Sequence, residues 1–315
     1  GPKPASPPTD EAPSDDGRSP HERPERLGGN GFLSPVVRRL VQEHQLDLDG
    51  IEGSGAGGRI TRDDVLAALE EDQPAPARRP DDDGVRRVPF TAIRRTIATR
   101  MLASQHEAAH TLVVTEVDYH HVGPAKEAAG LTWLPFVARA AIDALAEHPS
   151  LNAHVGDDHL DLHQAVHLGV AVDLEHEGLV VPVLRHADRL RLRLLADALA
   201  RRAAAARDRA LGPDDLNGGT FTITNAGRYG TLLTAPIINR PQAAILATDG
   251  VRVRPVAVPL GEGEHGLAFH PVGNLCLSFD HRAVDGAYAS SFLARVRDLL
   301  QERDWLAEVG AGGRP

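Results

Sequence analysis

Leu275-Cys276-Leu277-Ser278-Phe279-Asp280-His281-Arg282-Ala283-Val284-Asp285-Gly286 is an apolar run that breaks into charge just before a helical pattern begins. Leu275 to Phe279 reads as a short buried strand and Gly286 to Gln301 as a helix, because the apolar residues change from continuous to a helical period between them. Polar residues at the end of a buried strand cost free energy unless they serve a purpose. His281 stands between two acids, and an imidazole titrating near neutrality suits a general base. A plain strand-end turn with an exposed histidine fits the same residues, and both readings stand at this point.

Outward from this junction, the chain from about Val85 to Pro315 reads as one α/β domain. Thr91 to His106 has helical spacing in Ile93, Ile97, Met101 and Leu102, and Thr111 to Val117 is β-branched and strand-like. Leu134 to Glu147 reads as a largely apolar helix, Val166 to Asp173 and Leu179 to Leu184 as paired strands, and Leu190 to Arg209 as an amphipathic helix. Thr220 to Thr224 and Ala243 to Thr248 are two further short strands. Strands and helices mix without strict alternation, which predicts a layered mixed sheet with helices on one face rather than a barrel.

The second polar cluster is Gly218-Gly219-Thr220-Phe221-Thr222-Ile223-Thr224-Asn225-Ala226-Gly227. In a strand Thr220, Thr222 and Thr224 share a face, and Thr224 at its end can present a hydroxyl to a ligand oxygen. A β-branched strand running into an asparagine turn accounts for the same residues without a ligand. His159, His163 and His167 have a spacing that gathers ligands only on a helix; in their strand-like context they stand roughly 13 Å apart. They read as surface histidines, and no metal is expected. Cys276 lies between leucines and reads as a buried, unreactive thiol.

Upstream the pattern changes. Residues 1–31 and 70–84 are rich in proline, aspartate, serine and arginine, too poor in apolar residues to offset the entropy of ordering, and read as linkers. Gly1-Pro2 reads as the remnant of a cleaved tag. Between the linkers, residues 32–69 read as two short helices around a glycine-rich loop. Ser34 caps the first helix, Pro35 to His44, and Thr61-x-x-Asp64 is a capping box at the second. Gly53-Ser54-Gly55-Ala56-Gly57-Gly58 has dinucleotide-loop spacing but no strand before it and no βαβ unit around it, so it reads as a tight connection. A piece of about 40 residues buries little surface and suits docking better than catalysis.

Composition narrows the function. The 315 residues carry 44 acids against 34 bases, net charge −10, which argues against a general nucleic-acid partner. No apolar run approaches the ~20 residues that cross a membrane, and with Cys276 the only cysteine a reducing, cytoplasmic setting fits. Lys3 and Lys126 are the only lysines, so nearly all positive charge is guanidinium.

Asp280-His281-Arg282-x-x-Asp285-Gly286 resembles the D-H-R-x-x-D-G signature of the dihydrolipoamide acyltransferases, the acyltransferase components of 2-oxo-acid dehydrogenase complexes. Thr222-Ile223-Thr224-Asn225-x-Gly227 followed by Pro236-Ile237-Ile238-Asn239-x-Pro241-Gln242-x-Ala244-Ile245-Leu246 is similar to that family's second signature. Ser34-Pro35-Val36-Val37-Arg38-Arg39-Leu40 with Gly53-x-Gly55-x-Gly57-Gly58-Arg59-Ile60 resembles its peripheral subunit-binding domain.

The resemblance implies a chloramphenicol-acetyltransferase-like mixed-sheet catalytic core over 85–315, with a two-helix subunit-binding domain over 32–69 ahead of it. It implies direct acyl transfer between dihydrolipoamide and coenzyme A in a trimer, acetyl being favoured among the acyl groups, at sites lying between subunits. His281 becomes the general base, Thr224 the oxyanion donor and Asp285 a further catalytic position, with Arg94 as its ionic partner. Asp280, Asn225 and Gly286 become orienting positions. Arg38 and Arg59 match positions that dock the dihydrolipoamide dehydrogenase or the decarboxylase component, whereas Gln42 stands where a second basic residue is usual. Trimers can build larger cubic or icosahedral shells. Neither lysine lies in a lipoyl motif, so the lipoyl group is expected from a domain absent from this chain, and Val122 to Thr132 is short for the family's helical connection. Trp133 is the side chain expected to narrow the acyl pocket. A non-catalytic docking scaffold and a free-standing small-molecule acetyltransferase are the competing readings; intact His281, Thr224 and Asp285 oppose the first and residues 32–69 the second.

Overall fold

The computed structural model describes residues 85–311 except 176 and 177, and ahead of them residues 37, 51, 53–55, 60–62, 64 and 65. The chain divides into two compact units, Gly1–Val88 and Pro89–Pro315. In the first, the Asp64 amide donates to Thr61 Oγ1 at 3.3 Å and the Thr61 amide donates to Asp64 Oδ2 at 2.8 Å. This is the reciprocal capping box read from the spacing, with aspartate reaching as glutamate usually does. The same carboxylate accepts from the Ser54 amide at 2.9 Å, tying the glycine-rich loop to the helix start. Hydrogen bonds from the Ser54 side chain, and then from the Thr61 backbone, hold the Asp64 carboxyl well below the usual carboxylate range. The linkers, Ser34, Arg38, Gln42, Arg59 and all of the Pro35 to His44 helix except Val37 lie outside the described residues.

The second unit opens with helix α1 (Ala92–Glu107), capped by Thr91, whose side chain accepts from the Arg94 amide at 3.2 Å. Then come β1 (His110–Asp118), α2 (Val122–Ala129), α3 (Leu134–Glu147), β2 (Ala153–Val155), β3 (Leu160–Leu162), β4 (Leu168–Val170), β5 (Val172–Asp173), β6 (Leu179–Val180) and β7 (Val183–Leu184). The order continues with α4 (Leu192–Arg207), β8 (Phe221–Asn225), β9 (Ala244–Thr248), β10 (Arg252–Gly261), β11 (Glu264–Asp280), α5 (Gly286–Glu302) and α6 (Trp305–Ala311).

The main sheet runs β1-β11-β9-β8-β4-β7, with β10 added on β11. β8 is parallel to both neighbours, and the remaining pairs are antiparallel. Register decides which side chains share a face. Val113, Leu277, Leu246, Ile223 and Val170 stand in one row across five strands. That row packs into a core with Phe136 of α3, Leu195 of α4, Phe292 of α5 and Trp305 of α6. The opposite parity presents Val114, Cys276, Ala247 and Thr224 in one row, and Ser278, Ile245, Thr222 and Gly169 in the next. Helices α2 to α6 thus cover one face and leave smaller, more polar side chains on the other, which the end of α1 meets.

Parallel β8 and β9 need a crossover, and residues 226–243 supply it as irregular chain containing one short 3-10 turn, Gly227–Tyr229. This segment lies on the polar face, since Ile238 packs with Ala108 and Ile245.

Two elements differ from the sequence expectation. The pair expected over Val166 to Asp173 and Leu179 to Leu184 is broken into β4 with β7 and β5 with β6. Pro182 has no N–H to give the ladder there, and the Ala171 amide turns to Ile223 O instead. The strand over Leu275 to Phe279 extends back to Glu264 in a long hairpin with β10, closed where Gly261, Glu262 and Gly263 all have positive φ. The segment Val122 to Thr132, expected to be short for the family's helical connection, holds the 8-residue helix α2, ended by Gly130 at φ 65°.

Phe292 is fully buried and packs edge-on against Phe221, with ring centroids 5.9 Å apart. Phe292→Ala is expected to cost about 3–5 kcal/mol in urea unfolding, from lost transfer energy and the cavity left between α5 and the sheet.

Candidate active site

The end of β11 is closed by its own last residue. Asp280 is 1% exposed, and its Oδ1 accepts from the amides of Ala109 at 3.2 Å and Arg282 at 3.0 Å. Its Oδ2 accepts from Arg282 Nη2 at 2.7 Å, with Arg282 Nε bridging both oxygens at 3.1 Å. Burial pushes the carboxyl up, but the Arg282 side chain and the two amides outweigh it, and Asp280 is held below the ordinary aspartate range. Asp280 O then accepts from the Ala283 amide at 2.9 Å, and the His281 amide donates to Ala109 O at 2.9 Å. Both neighbours of the imidazole are therefore pinned, while its own side chain remains 47% exposed.

Asp285 Oδ1 lies 3.9 Å from His281 Nδ1, an ionic approach rather than a hydrogen bond, and its side chain is 89% exposed. Asp285 precedes α5 without making a side-chain cap. Arg94 is exposed on α1, and its ion pair with Asp285 is not formed within the chain. A Cβ at Gly286 would meet nothing within 4 Å, so packing inside one chain does not demand glycine there.

At the other end of the polar face, Thr222 Oγ1 donates to Gln242 Oε1 at 2.6 Å, and the His167 amide donates to Thr220 Oγ1 at 2.9 Å. Those two threonines are buried and occupied, whereas Thr224, one turn of the pleat further, is half-buried at the strand end. Asn225 Oδ1 accepts from the Gly227 amide at 3.0 Å, which starts the crossover. Gly227 has no room for a side chain, because a Cβ would sit 2.5 Å from Asp249 O.

Thr224 and His281 are not brought together. Thr224 registers with Ala247 and Ala247 with Cys276, two strands away and five residues short of His281. Two strand spacings and five residue rises separate their backbones by roughly 19 Å. Neither of two surface cavities, of about 320 and about 600 Å³, is lined by either residue.

Cys276 is fully buried, and burial pushes its thiol up to about 12, so it holds its proton at neutral pH. His163 and His167 are half-buried rather than on the surface: His163 packs on His154 with centroids 4.3 Å apart, and His167 on His186 at 4.7 Å. Burial lowers both pKa values first, and the neighbouring imidazole adds to it. Among the described residues no group of three or more His, Cys, Asp or Glu could hold a metal, and no helix is long and apolar enough to cross a membrane. Trp133 packs at a tilt of 58° against Tyr119, ring centroids 5.3 Å apart, with Lys126 above its ring, half-buried against the core on the helical side, opposite the face that carries Thr224. Sequence reasoning included Gln242 in a signature without giving it a role, and missed the buried carboxylate of Asp249. Asp249 follows an apolar strand just as Asp280 does, and the signal that singled out one was present for the other.

A mixed sheet with helices on one face, ending in a pinned Asp-His-Arg turn, defines an acyltransferase core. The model of the 2-oxoacid dehydrogenases acyltransferase (catalytic domain) family matches residues 82–307 and that of the e3 binding domain residues 31–66, and the chain belongs to this acyltransferase family. It is 37% identical over 292 residues to the dihydrolipoyllysine-residue succinyltransferase component of the 2-oxoglutarate dehydrogenase complex of Rickettsia bellii, covering 88% of this chain and 72% of that one. It is 38% identical over 280 residues to the dihydrolipoyllysine-residue acetyltransferase component of the acetoin cleaving system of Bacillus subtilis, covering 86% and 69%. The cubic core of a pyruvate dehydrogenase multienzyme complex superposes with TM-score 0.65 at 31% identity, over 72% of this chain and 98% of that one.

Because folding holds the Asp280 carboxyl down, its stabilising contribution is complete above the ~3.9 of an unfolded aspartate and is lost as pH falls through the lower folded value. Asp280→Asn is expected to cost about 2 kcal/mol at pH 7, with the urea midpoints of variant and parent converging on acidification below about pH 4.

Proposed function

We propose that this chain transfers an acyl group between dihydrolipoamide and coenzyme A, at sites completed by two copies of the chain within a trimer. The observation that carries the reading is the separation of roughly 19 Å between Thr224 and His281 in one chain, too far for both to touch one tetrahedral intermediate. The fold nevertheless ends a strand at each of them and leaves both partly exposed.

The chemistry needs both groups. A thiol of pKa ~8.5 is mostly protonated at neutral pH, and His281 of one copy takes that proton as sulfur attacks the thioester carbonyl. Negative charge then develops on the former carbonyl oxygen, where the Thr224 hydroxyl of the next copy donates. Collapse expels the other thiolate, which recovers the proton from His281, so no acyl-enzyme forms. Asp285 and Asp280 orient the imidazole and its turn, Asn225 sets the strand end behind Thr224, and Gly286 keeps the helix start open. Arg94 is the partner for Asp285 in the assembled trimer. Residues 32–69 dock the dihydrolipoamide dehydrogenase or decarboxylase component through Arg38 and Arg59, and the lipoyl group arrives on another domain. Acetyl is the acyl group to test first, since relatives are named for both acetyl and succinyl transfer.

Transfer from acetyl-, succinyl- and isobutyryl-coenzyme A to free dihydrolipoamide tests this. His281→Ala is expected to lose about 10³-fold in kcat, and Thr224→Ala about 10²-fold. Co-expressing the two inactive variants is expected to restore about a quarter of the sites if each site draws on two copies, and none if both residues serve within one. No transfer from any donor by a folded trimer would leave the docking scaffold as the better account.

A further inference from the structure

Asp249 stands at the end of β9, 3% exposed, with no cation paired to it among the described residues. Its Oδ1 accepts from Thr231 Oγ1 at 2.5 Å and Thr234 Oγ1 at 2.6 Å. Its Oδ2 accepts from the Thr234 amide at 3.2 Å and from Cys276 Sγ at 3.2 Å. A buried carboxylate is costly, and this one is kept by four donors, three of them from the crossover that follows Thr224 and Asn225. Backbone bonds run alongside: the Ala226 amide donates to Thr248 O at 3.1 Å and the Gly250 amide to Thr231 O at 2.9 Å. Asn274 Nδ2 adds a bond to Leu232 O at 2.8 Å.

The register makes this a statement about Thr224. Cys276, Ala247 and Thr224 stand in one row on the polar face, so the Asp249 bond to Cys276 seats residues 231–234 on the row that ends at the Thr224 hydroxyl. Asn225, which follows Thr224, pairs with Thr248, which precedes Asp249. The chain leaving Thr224 is therefore irregular from residue 226 onward, and Asp249 is the group that fixes it.

We infer that Asp249 is a positioning residue for the acyl-transfer site: by holding the crossover over residues 231–234 it sets the place and direction of the Thr224 hydroxyl. The inference rests on the reading of Thr224 as oxyanion donor. Asp249 itself touches no reacting atom. A carboxylate suits the task because it accepts from several donors at once, whereas an amide in its place keeps one acceptor and turns the other into a donor.

The test is a double-mutant cycle in the transfer assay, with Asp249→Asn in the parent and in the Thr224→Ala background, each checked for trimer size and circular dichroism. Asp249→Asn is expected to lower kcat about 10-fold with KM for both substrates within about 2-fold, and to cost less than about 2-fold further when Thr224 is already alanine. Asp249→Glu, which keeps the charge but displaces it, is expected to fall between parent and Asn. Reaction of Cys276 with a thiol reagent gives a readout independent of activity: slow in the parent, faster in Asp249→Asn as the crossover loosens. An equal loss in both backgrounds, or an unchanged kcat while Thr224→Ala is impaired, would overturn the inference. If Thr224→Ala is itself fully active, the oxyanion reading fails instead, and an increase in Cys276 reactivity would then assign Asp249 a structural clamp alone, which also overturns a role through Thr224.

Discussion

The hydrogen-bond ladder along β11 fixes where Cys276, Asp280 and His281 stand. This strand pairs with β1, β9 and β10, and side chains in a strand alternate, so its register is a choice of which row meets the helices. Leu275, Leu277 and Phe279 meet them and are fully buried there. A slip of one residue would drive Ser278 into the apolar core and turn Phe279 onto the polar face, at a cost of several kcal/mol from three bulky groups exchanged for small or polar ones. With that slip excluded, the strand must end where Asp280 can reach Arg282 and Ala109, and the position of His281 follows. The Asp280-His281-Arg282 turn is thus a consequence of core packing two to six residues upstream of His281, reinforced by one carboxylate.

The polar face obeys a different constraint. A helix satisfies its own backbone, but the crossover from β8 to β9 is irregular chain, and its N–H and C=O groups must find partners elsewhere. The partners are specific. Ser104 Oγ donates to Ile238 O at 2.6 Å, and His110 Nε2 accepts from the Ile238 amide at 3.1 Å. Gln242 ties the returning end to Thr222, and Asp249 with Asn274 ties the departing end. Buried polar residues that would be liabilities in the helical core are here what makes an irregular roof stable.

The two faces were not equally legible in the sequence. On the helical side the long helices were legible, because an element such as Leu134–Glu147 owes its burial to its own apolar spacing, whereas the short helices α2 and α6 offer too few residues to show a period. The hairpin of β10 and β11 was not, since Pro255, Pro259 and a run of exposed residues carry no buried face to give it a period. The turn Gly261-Glu262-Gly263 was its one available signal. The clusters at Asp280 and Thr224 were visible as polar residues at strand ends, which is a local property. Their distance from one another was not, because it depends on β9 lying between β8 and β11, a pairing between segments far apart in the chain. Asp249 carries the same local signal as Asp280, an acid at the end of an apolar strand, but its donors lie on a loop and on another strand, and no local pattern joins them.

Dividing the site between copies adds a mechanical requirement that one-chain sites lack. On the proposed reading, the distance from base to oxyanion donor is the sum of two rigid offsets, one through each chain's sheet, and one contact between chains. Reaction rates fall steeply when reacting groups are misplaced by about 1 Å, so looseness in any of the three is transmitted directly to the chemistry. On the His281 side, the ladder of β11 with β1 runs to Asp280, with regular backbone bonds up to the turn itself. On the Thr224 side, regular pairing stops at Asn225, one residue later, and the chain then enters the crossover. Within one chain that is where regular pairing gives out, and it is where the fold places a carboxylate that is buried, has no cation paired to it among the described residues, and is held by four donors. The distribution of buried polar groups in this unit follows the places where the backbone can no longer hold position by itself.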